Sequence, residues 1–226
     1  MRSIVPLKYL ERKMINLIGK RRIRQQDHKI KILEAAEKIF AKKGFYPTTI
    51  EEVAKKARLA KGTIYLYFNS KEDLFFLVIE RKLDILLSKV EEELKGPDSP
   101  SQRIKKVIAV HLKFLEENGD FFKIMEGFSE SLKEKLEKKL KNRVIQKQSY
   151  YIEMLGKLIQ EAINKGEIKS LDSRKLAVIL MGIIHSLTLY WISQKEKDSL
   201  FKDQLLVWEV FWKGVKNKDY SKSYVE

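Results

Sequence analysis

Residues 44–74 read GFYPTTIEEVAKKARLAKGTIYLYFNSKEDL, and this stretch decides the fold of the N-terminal part of the chain. Its pattern predicts two short helices joined by a tight turn. Thr48 and Thr49 stand three residues before Glu51 and Glu52, which is the spacing of a capping box at a helix N-terminus. The first short helix is therefore expected to begin at one of these threonines.

The second short helix is expected to begin near Ala60. Ile64 and Phe68 are four residues apart, so they share its inner face. Gly62 is unexpected there, because a glycine in a helix interior costs about 1 kcal/mol relative to alanine. A close approach of another molecule to the backbone would explain the glycine and the aromatic residues beside it.

A longer amphipathic helix is predicted over 27–43, with Asp27 as its N-cap, and it supports the two short helices. Three helices in this order are typical of a helix-turn-helix, whose last helix enters the DNA major groove. Lys61 and Tyr65 share its outward face and can reach phosphates and base edges. A generic helical hairpin is the alternative, and Tyr67 stays open between core packing and a phosphate contact.

The stretch resembles the DNA-binding domain of the TetR family of bacterial transcriptional regulators. The resemblance lies in Gly44, Thr48, Thr49, Ala54, Ala57, Lys61, Gly62, Thr63, Tyr65, Phe68, Ser70, Lys71 and Leu74. It implies a homodimer on a palindromic double-stranded DNA operator, usually a repressor that a small molecule releases. It implies that DNA is contacted by Thr49, Lys61, Gly62, Thr63, Tyr65, Tyr67 and Lys71. The predicted set of DNA contacts also includes the capping candidate Thr48.

Two residues depart from the family pattern. Arg58 stands in the turn where the family usually has glycine, and it is expected either to strain the turn or to add a phosphate contact. Ala60 stands where a serine or threonine often caps the recognition helix, and losing that cap costs about 1 kcal/mol.

The whole chain has 226 residues, with four prolines and ten glycines, and helical patterns between them. We predict an all-α fold, with a three-helix helix-turn-helix domain followed by a larger helical domain for ligand binding and dimerisation. The expected ranges are a basic N-terminal extension at 1–26, the DNA-binding domain at 27–72, and the regulatory domain at 73–226.

The net charge is +15, which favours nucleic acid or an anionic surface as partner. Residues 1–26 contain eight basic residues and one acidic residue, a net charge of +7. This extension is either an arm that reaches the minor groove or phosphates, or a solvated tail. Its first part, at 4–20, is weakly amphipathic and suits a partner or a membrane surface, and Met14 is an alternative start.

The sequence argues against an enzyme. It has no cysteine, no G-x-S-x-G motif, no phosphate-binding glycine loop and no metal-spaced cluster of histidines and carboxylates. We expect no cofactor, no metal and a cytoplasmic location. The apolar run at 176–192 is shorter than the ~20 residues of a membrane span, so it is expected to be a buried helix. The alternative function is a basic architectural nucleic-acid-binding protein without operator specificity.

The helices predicted at 172–194 and 199–216 are the most apolar, and two from each subunit would form a four-helix dimer interface. An intrachain core is the other interpretation. A ligand pocket is expected among the middle helices, lined by Phe114, Phe122, Met125, Met154, Met181 and His185, although such a pattern is more often core. The expected effector is small and largely apolar. Residues 161–187 resemble family members that sense fatty acyl-CoA.

Overall fold

The structure is a computed structural model that describes residues 7–119, 138–194 and 198–217. In chain order its helices are α1 (Leu7–Lys43), α2 (Ile50–Ala57), α3 (Lys61–Tyr65), α4 (Lys71–Leu94), α5 (Pro100–Glu117), α6 (Lys138–Asn164), α7 (Ser173–Ser193), a 3₁₀ turn (Leu200–Asp203) and α8 (Gln204–Val215). Over these ranges the only strand-like feature is one bridge between Ile168 and Lys216. The predicted all-α fold is confirmed.

The chain divides into two compact units, Met1–Val78 and Ile79–Glu226. The division therefore lies inside α4, and not at residue 72 as the sequence suggested. The reason is that the first turns of α4 belong to the N-terminal core, where the rings of Phe75 and Phe40 meet edge to face with centroids 5.1 Å apart. Each unit has its own buried interior and is described separately.

Helix α1 begins at Leu7, so the prediction that it starts with an N-cap at Asp27 is wrong. Between residues 7 and 27 the sequence is rich in good helix formers, and Gly19 alone costs only about 1 kcal/mol. Nothing in this stretch ends a helix, and the part of the basic extension from residue 7 onward therefore belongs to α1.

The core of the N-terminal unit is built from one face of each of its helices. A cluster of aromatic rings holds α1, the loop after it and α4 together, with Phe45 and Phe75 centroids 5.0 Å apart. Gly44 ends α1 with a positive φ of 80°, as predicted. The fully buried side chains of this unit include Ile32, Phe40, Val53, Ile64, Phe68 and Leu74.

The core of the C-terminal unit lies between α5, α6, α7 and α8. Ser99 and Gln102 form a capping box that starts α5, and Asp172 caps α7 through the backbone N–H of Lys175. Gly166 takes a positive φ of 74° just after α6. The buried residues of this core include Ile104, Ile108, Leu112, Leu155, Ile159, Ala162, Leu180, Ile184 and Phe211.

Helix α7 is, within the described part of the chain, the one helix long and apolar enough to cross a membrane, judged by length and composition alone. Only 28% of its apolar window is buried. The expectation of a buried helix therefore holds for one side, which carries Leu176, Leu180 and Ile184. The other side keeps a large apolar surface exposed.

A buried polar pair joins α5 to α6. The hydroxyl of Tyr151 lies 2.8 Å from Nδ1 of His111, and both side chains are buried. Burial lowers the pKa of His111 to about 4 and raises the pKa of Tyr151. The imidazole is therefore neutral at physiological pH, and the hydrogen bond satisfies both groups inside an apolar core.

This pair makes stability depend on pH. Between pH 6.5 and pH 4 the unfolded chain protonates His111 while the folded chain does not, so stability falls as the pH falls. The depressed pKa of His111 corresponds to a loss of up to about 3 kcal/mol. We expect the double substitution His111→Leu with Tyr151→Phe to lose that part of the pH dependence in chemical denaturation. An unchanged pH slope in the double variant would contradict the assignment.

Candidate DNA-binding site

The turn between α2 and α3 is tight and left-handed. Arg58 follows Ala57 with φ 57° and ψ 43°, and the backbone N–H of Leu59 donates to the carbonyl of Ala54 at 3.0 Å. This geometry closes α2 and turns the chain directly into α3. The left-handed region normally favours glycine, so the strain expected of Arg58 is present.

Replacing Arg58 by glycine is expected to stabilise the protein by about 0.5–1 kcal/mol, because glycine adopts the left-handed conformation without a Cβ penalty. Arg58→Ala is the matched control, since it removes the guanidinium and keeps the penalty. Urea denaturation would compare the free energies of unfolding. A glycine variant no more stable than the alanine variant would show that the turn is unstrained.

Helix α3 is anchored by its inner face alone. Ile64 is fully buried and Phe68, just beyond the helix, is 1% exposed, as their spacing predicted. The opposite face is open, with Lys61 and Gly62 exposed and Tyr65 49% exposed. A short helix held on one side presents its other side to a partner.

The protein itself gives no reason for Gly62. A Cβ built there meets no atom within 4 Å, and the backbone does not take a positive φ. Ala60 takes the N-cap position without a side-chain hydrogen bond, so the predicted loss of the cap is confirmed. Neither packing nor backbone geometry requires the glycine, and a partner that approaches the backbone of α3 closely would account for it.

Thr49 is the N-cap of α2, with the capping box to Glu52 in both directions. Next to it, the carboxylate of Glu51 forms an ion pair with Lys61. Hydrogen bonds from Lys61 and, more weakly, from Thr49 hold the pKa of Glu51 below its ordinary value. One carboxylate thus engages two of the predicted phosphate ligands in the absence of DNA.

Glu51→Gln is expected to raise operator affinity about two- to tenfold, because a competing negative charge leaves the DNA-facing surface. Fluorescence anisotropy with a labelled duplex would measure the change. Glu153→Gln is the matched control, since Glu153 makes a similarly exposed ion pair with Lys157 in the other unit. Equal gains in both variants would mean that only net charge matters.

Thr48 does not belong to the DNA-facing surface. Its side chain is 1% exposed, and its hydroxyl donates to the carbonyl of Gly44 at 2.7 Å. Both threonines have a glutamate three residues later, but the helix begins at Ile50, and only Thr49 is then the N-cap. Of the two threonines at which the helix was expected to begin, Thr49 is the cap, and the buried Thr48 is left out of the proposed DNA contacts.

The side chain of Lys71 holds the loop before α2. Its ammonium group donates to the carbonyls of Phe45, Tyr46 and Thr48 at 3.0–3.1 Å and lies over the Phe45 ring, 4.4 Å from the centroid. An ammonium has three N–H donors, and all three are used. The predicted phosphate contact of Lys71 is therefore replaced by a role in holding the loop before α2.

Tyr67 links α3 to α1. Its hydroxyl lies 3.4 Å from Nδ1 of His28, and the two rings meet edge to face with centroids 6.2 Å apart. The side chain is half-buried, so packing accounts for part of its surface and a phosphate contact stays a prediction. Thr63 is also half-buried.

Sequence reasoning missed Leu66. This residue is 81% exposed and follows α3 directly as its C-cap. It stands four residues after Gly62, and that spacing, which puts both on one side of a helix, could have identified it. An exposed leucine beside the recognition helix suits apolar contact with a thymine methyl group.

The predicted ligand-binding residues differ in how deeply they are buried. Phe114 and Met154 are buried, Met181 is half-buried and His185 is exposed. His185 lies on the exposed side of α7, next to the buried Ile184, and its contact with a ligand stays a prediction. Phe122 and Met125 lie outside the described residues.

The geometry defines a helix-turn-helix DNA-binding protein with a helical regulatory unit. The chain belongs to the TetR family: the family model described as "Bacterial regulatory proteins, tetR family" matches residues 32–78. A second model, described as "YsiA-like protein, C-terminal region", matches residues 79–214. The protein is thus a sequence-specific DNA-binding transcriptional regulator and not an enzyme, and its family consists of soluble proteins.

Relatives support the same assignment over most of the chain. The "Fatty acid metabolism regulator protein" of Bacillus subtilis (strain 168) is 30% identical over 190 residues, which are 84% of this chain and 96% of the relative. The solved FadR of Bacillus subtilis in complex with stearoyl-CoA has a TM-score of 0.73 and 26% identity, covering 82% of this chain and 98% of that one. FadR of Bacillus halodurans, at 23% identity and a TM-score of 0.72, covers 82% of this chain and 98% of that one and shares the fold.

Proposed function

We propose that the protein is a homodimeric cytoplasmic repressor that leaves a palindromic operator when a fatty acyl-CoA binds its regulatory unit. The observation that carries this proposal is the similarity to the fatty acid metabolism regulator of Bacillus subtilis over 96% of that relative. A further support is the similar protein whose solved structure contains stearoyl-CoA. A cytoplasmic location follows from the DNA partner.

The proposed operator contacts come from the outward face of α3 and the N-terminus of α2. Lys61 and Tyr65 supply charge and a hydroxyl for phosphates and base edges. Thr49 lies where the dipole of α2 favours an anion. The complete proposed set is Thr49, Lys61, Gly62, Thr63, Tyr65, Leu66 and Tyr67.

The proposed dimer interface is the apolar surface of α7 and α8. Six apolar or aromatic residues on this surface are each between 50% and 65% exposed. A group of this size on neighbouring helices marks a protein interface rather than ordinary surface. These residues are Val178, Ile179, Tyr190, Leu205, Leu206 and Val210.

The proposed effector is an acyl-CoA because its long apolar chain suits a regulatory unit whose interior is almost entirely apolar. Phe114 and Met154 stay candidates for contact with that chain, since both are buried. Met181, which is half-buried, stays a weaker candidate.

Operator binding is tested by titrating the protein with DNA from upstream of its own gene, against unrelated DNA as competitor. Lys61→Ala and Tyr65→Ala are expected to weaken specific binding, because each removes an exposed group of the recognition helix. Equal binding to both DNAs would favour the architectural alternative, in which the net charge of +15 acts without sequence preference.

The effector is tested by adding stearoyl-CoA to the preformed protein–DNA complex. We expect release of the DNA and a raised melting temperature, because a ligand that binds the folded state stabilises it. Coenzyme A and free stearate are the controls for the two halves of the molecule. A complex that persists with stearoyl-CoA present would overturn the proposed effector.

A further inference from the structure

The N-terminal extension at 1–26 has a net charge of +7, and none of its basic residues belongs to the proposed recognition surface. Four basic residues, Lys20, Arg21, Arg22 and Arg24, lie within five positions of the sequence. Among them Arg24 is exposed, as are Lys29 and Lys31 later in the same helix. Clustered cations on a helix of a DNA-binding unit indicate an anionic partner.

Helix α1 connects the positions of this cluster to the end of the recognition helix. His28 of α1 contacts Tyr67, just after α3, with 3.4 Å between the imidazole and the hydroxyl. Helix α1 continues without a break from this point back to Leu7. At 1.5 Å per residue, positions 20–24 lie about 6–12 Å along the helix from His28.

The charge also continues along one side of α1 into the helix-turn-helix. Arg24, Lys31 and Lys38 are seven residues apart, so they share a face of the helix. Lys31 and Lys38 line a groove against α2 together with Lys56 and Arg58, where Glu34 is the acidic member of the lining. This groove contains the turn that leads into α3.

The extension is a feature of this chain rather than of the family match. The family model begins at residue 32, after the whole basic cluster. The family match therefore implies no role for the extension.

We infer that the N-terminal part of α1 is a second DNA-binding element, which binds phosphates of the duplex flanking the operator. Its charge complements the DNA backbone, and its basic cluster lies within about 12 Å along α1 of His28, which contacts Tyr67. Phosphate contacts of this kind add affinity and lengthen the bound duplex without reading the sequence. The inference rests on the proposed recognition surface, since that surface sets where α1 lies on DNA.

The test uses the full chain with Lys20, Arg21, Arg22 and Arg24 all replaced by glutamine. Binding is measured against salt concentration on a duplex selected by the wild-type protein from random DNA. Each lost phosphate contact lowers the slope of log K against log salt by about 0.9, so we expect a fall of at least ~2 per protomer. Trimming the flanking base pairs should weaken the wild-type protein on the order of tenfold and leave the variant unaffected.

The matched control removes the same number of charges from exposed lysines of the C-terminal unit, with Lys113, Lys157, Lys175 and Lys202 replaced by glutamine. We expect its salt slope and its dependence on flanking DNA to equal those of the wild type. Circular dichroism melting of both variants checks that they fold.

An unchanged salt slope in the extension variant, or an equal fall in the control, would overturn the inference. Binding of the wild type to phosphatidylglycerol vesicles that the variant loses, with no change on DNA, would assign the extension to a membrane surface instead. If the wild type failed to prefer its selected duplex over unrelated DNA, the proposed operator function would fail. The slope comparison would still decide whether the extension touches DNA.

Discussion

Gly62→Ala is expected to weaken operator binding about 10- to 100-fold while making the protein more stable by about 0.5–1 kcal/mol. The stability gain follows from helix propensity, and no atom of the protein lies within 4 Å of the added Cβ. The binding loss follows if α3 approaches DNA closely enough to exclude a methyl group, since losing a well-made base contact costs about 1–3 kcal/mol. Anisotropy titration and urea denaturation measure the two effects.

Ala60→Ser is the matched control for this prediction. Ala60 has N-cap geometry, with φ −70° and ψ 146°, and no side-chain hydrogen bond. A serine there would stabilise α3 by about 1 kcal/mol without adding bulk at Gly62. If both variants were stabilised and both kept full operator affinity, the glycine would have no role in binding DNA.

Val210→Asp is expected to convert the proposed dimer into monomers and to lower operator affinity about 10²- to 10⁴-fold. Val210 is 56% exposed on α8, and a carboxylate buried in the proposed interface would be unpaired against apolar side chains. Two linked half-site binding modules bind about 10²- to 10⁴-fold more tightly than one module. A monomer loses this gain in affinity. Sedimentation equilibrium and an operator titration on the same sample measure both effects.

Ile145→Asp provides the comparison, because Ile145 is 46% exposed on α6 and lies outside the proposed interface. We expect it to remain dimeric and to bind the operator like the wild type. A Val210→Asp protein that sedimented as a dimer would show that α7 and α8 do not form the interface.

Local signals in the sequence were enough to predict the helix-turn-helix. The end of α1 at Gly44, the cap at Thr49 and the inner face of α3 each depend on residues within one or two turns of each other. Such features form wherever the local backbone preferences agree. Ala60 and Arg58 were recognised for the same reason, since a missing cap and a non-glycine turn are both visible in single positions.

Long-range contacts decided the roles that sequence reasoning misplaced. Lys71 donates to three carbonyls 23 to 26 positions earlier in the chain, and no local pattern distinguishes that ammonium group from one available to phosphate. Tyr151 and His111 are 40 positions apart, and their pairing depends on how α5 packs against α6.

Helix α1 depends on both local and long-range features. Its composition shows a basic, helix-forming segment, but without a strong stop signal the sequence does not say where the helix begins. Which of two equivalent threonines is a cap, and which face of α7 is buried, likewise depend on packing partners far away in sequence. Periodicity and capping are properties of neighbouring residues, and the sequence alone determined them. Exposure and hydrogen-bond partnership belong to the assembled helices, and only the tertiary structure decided them.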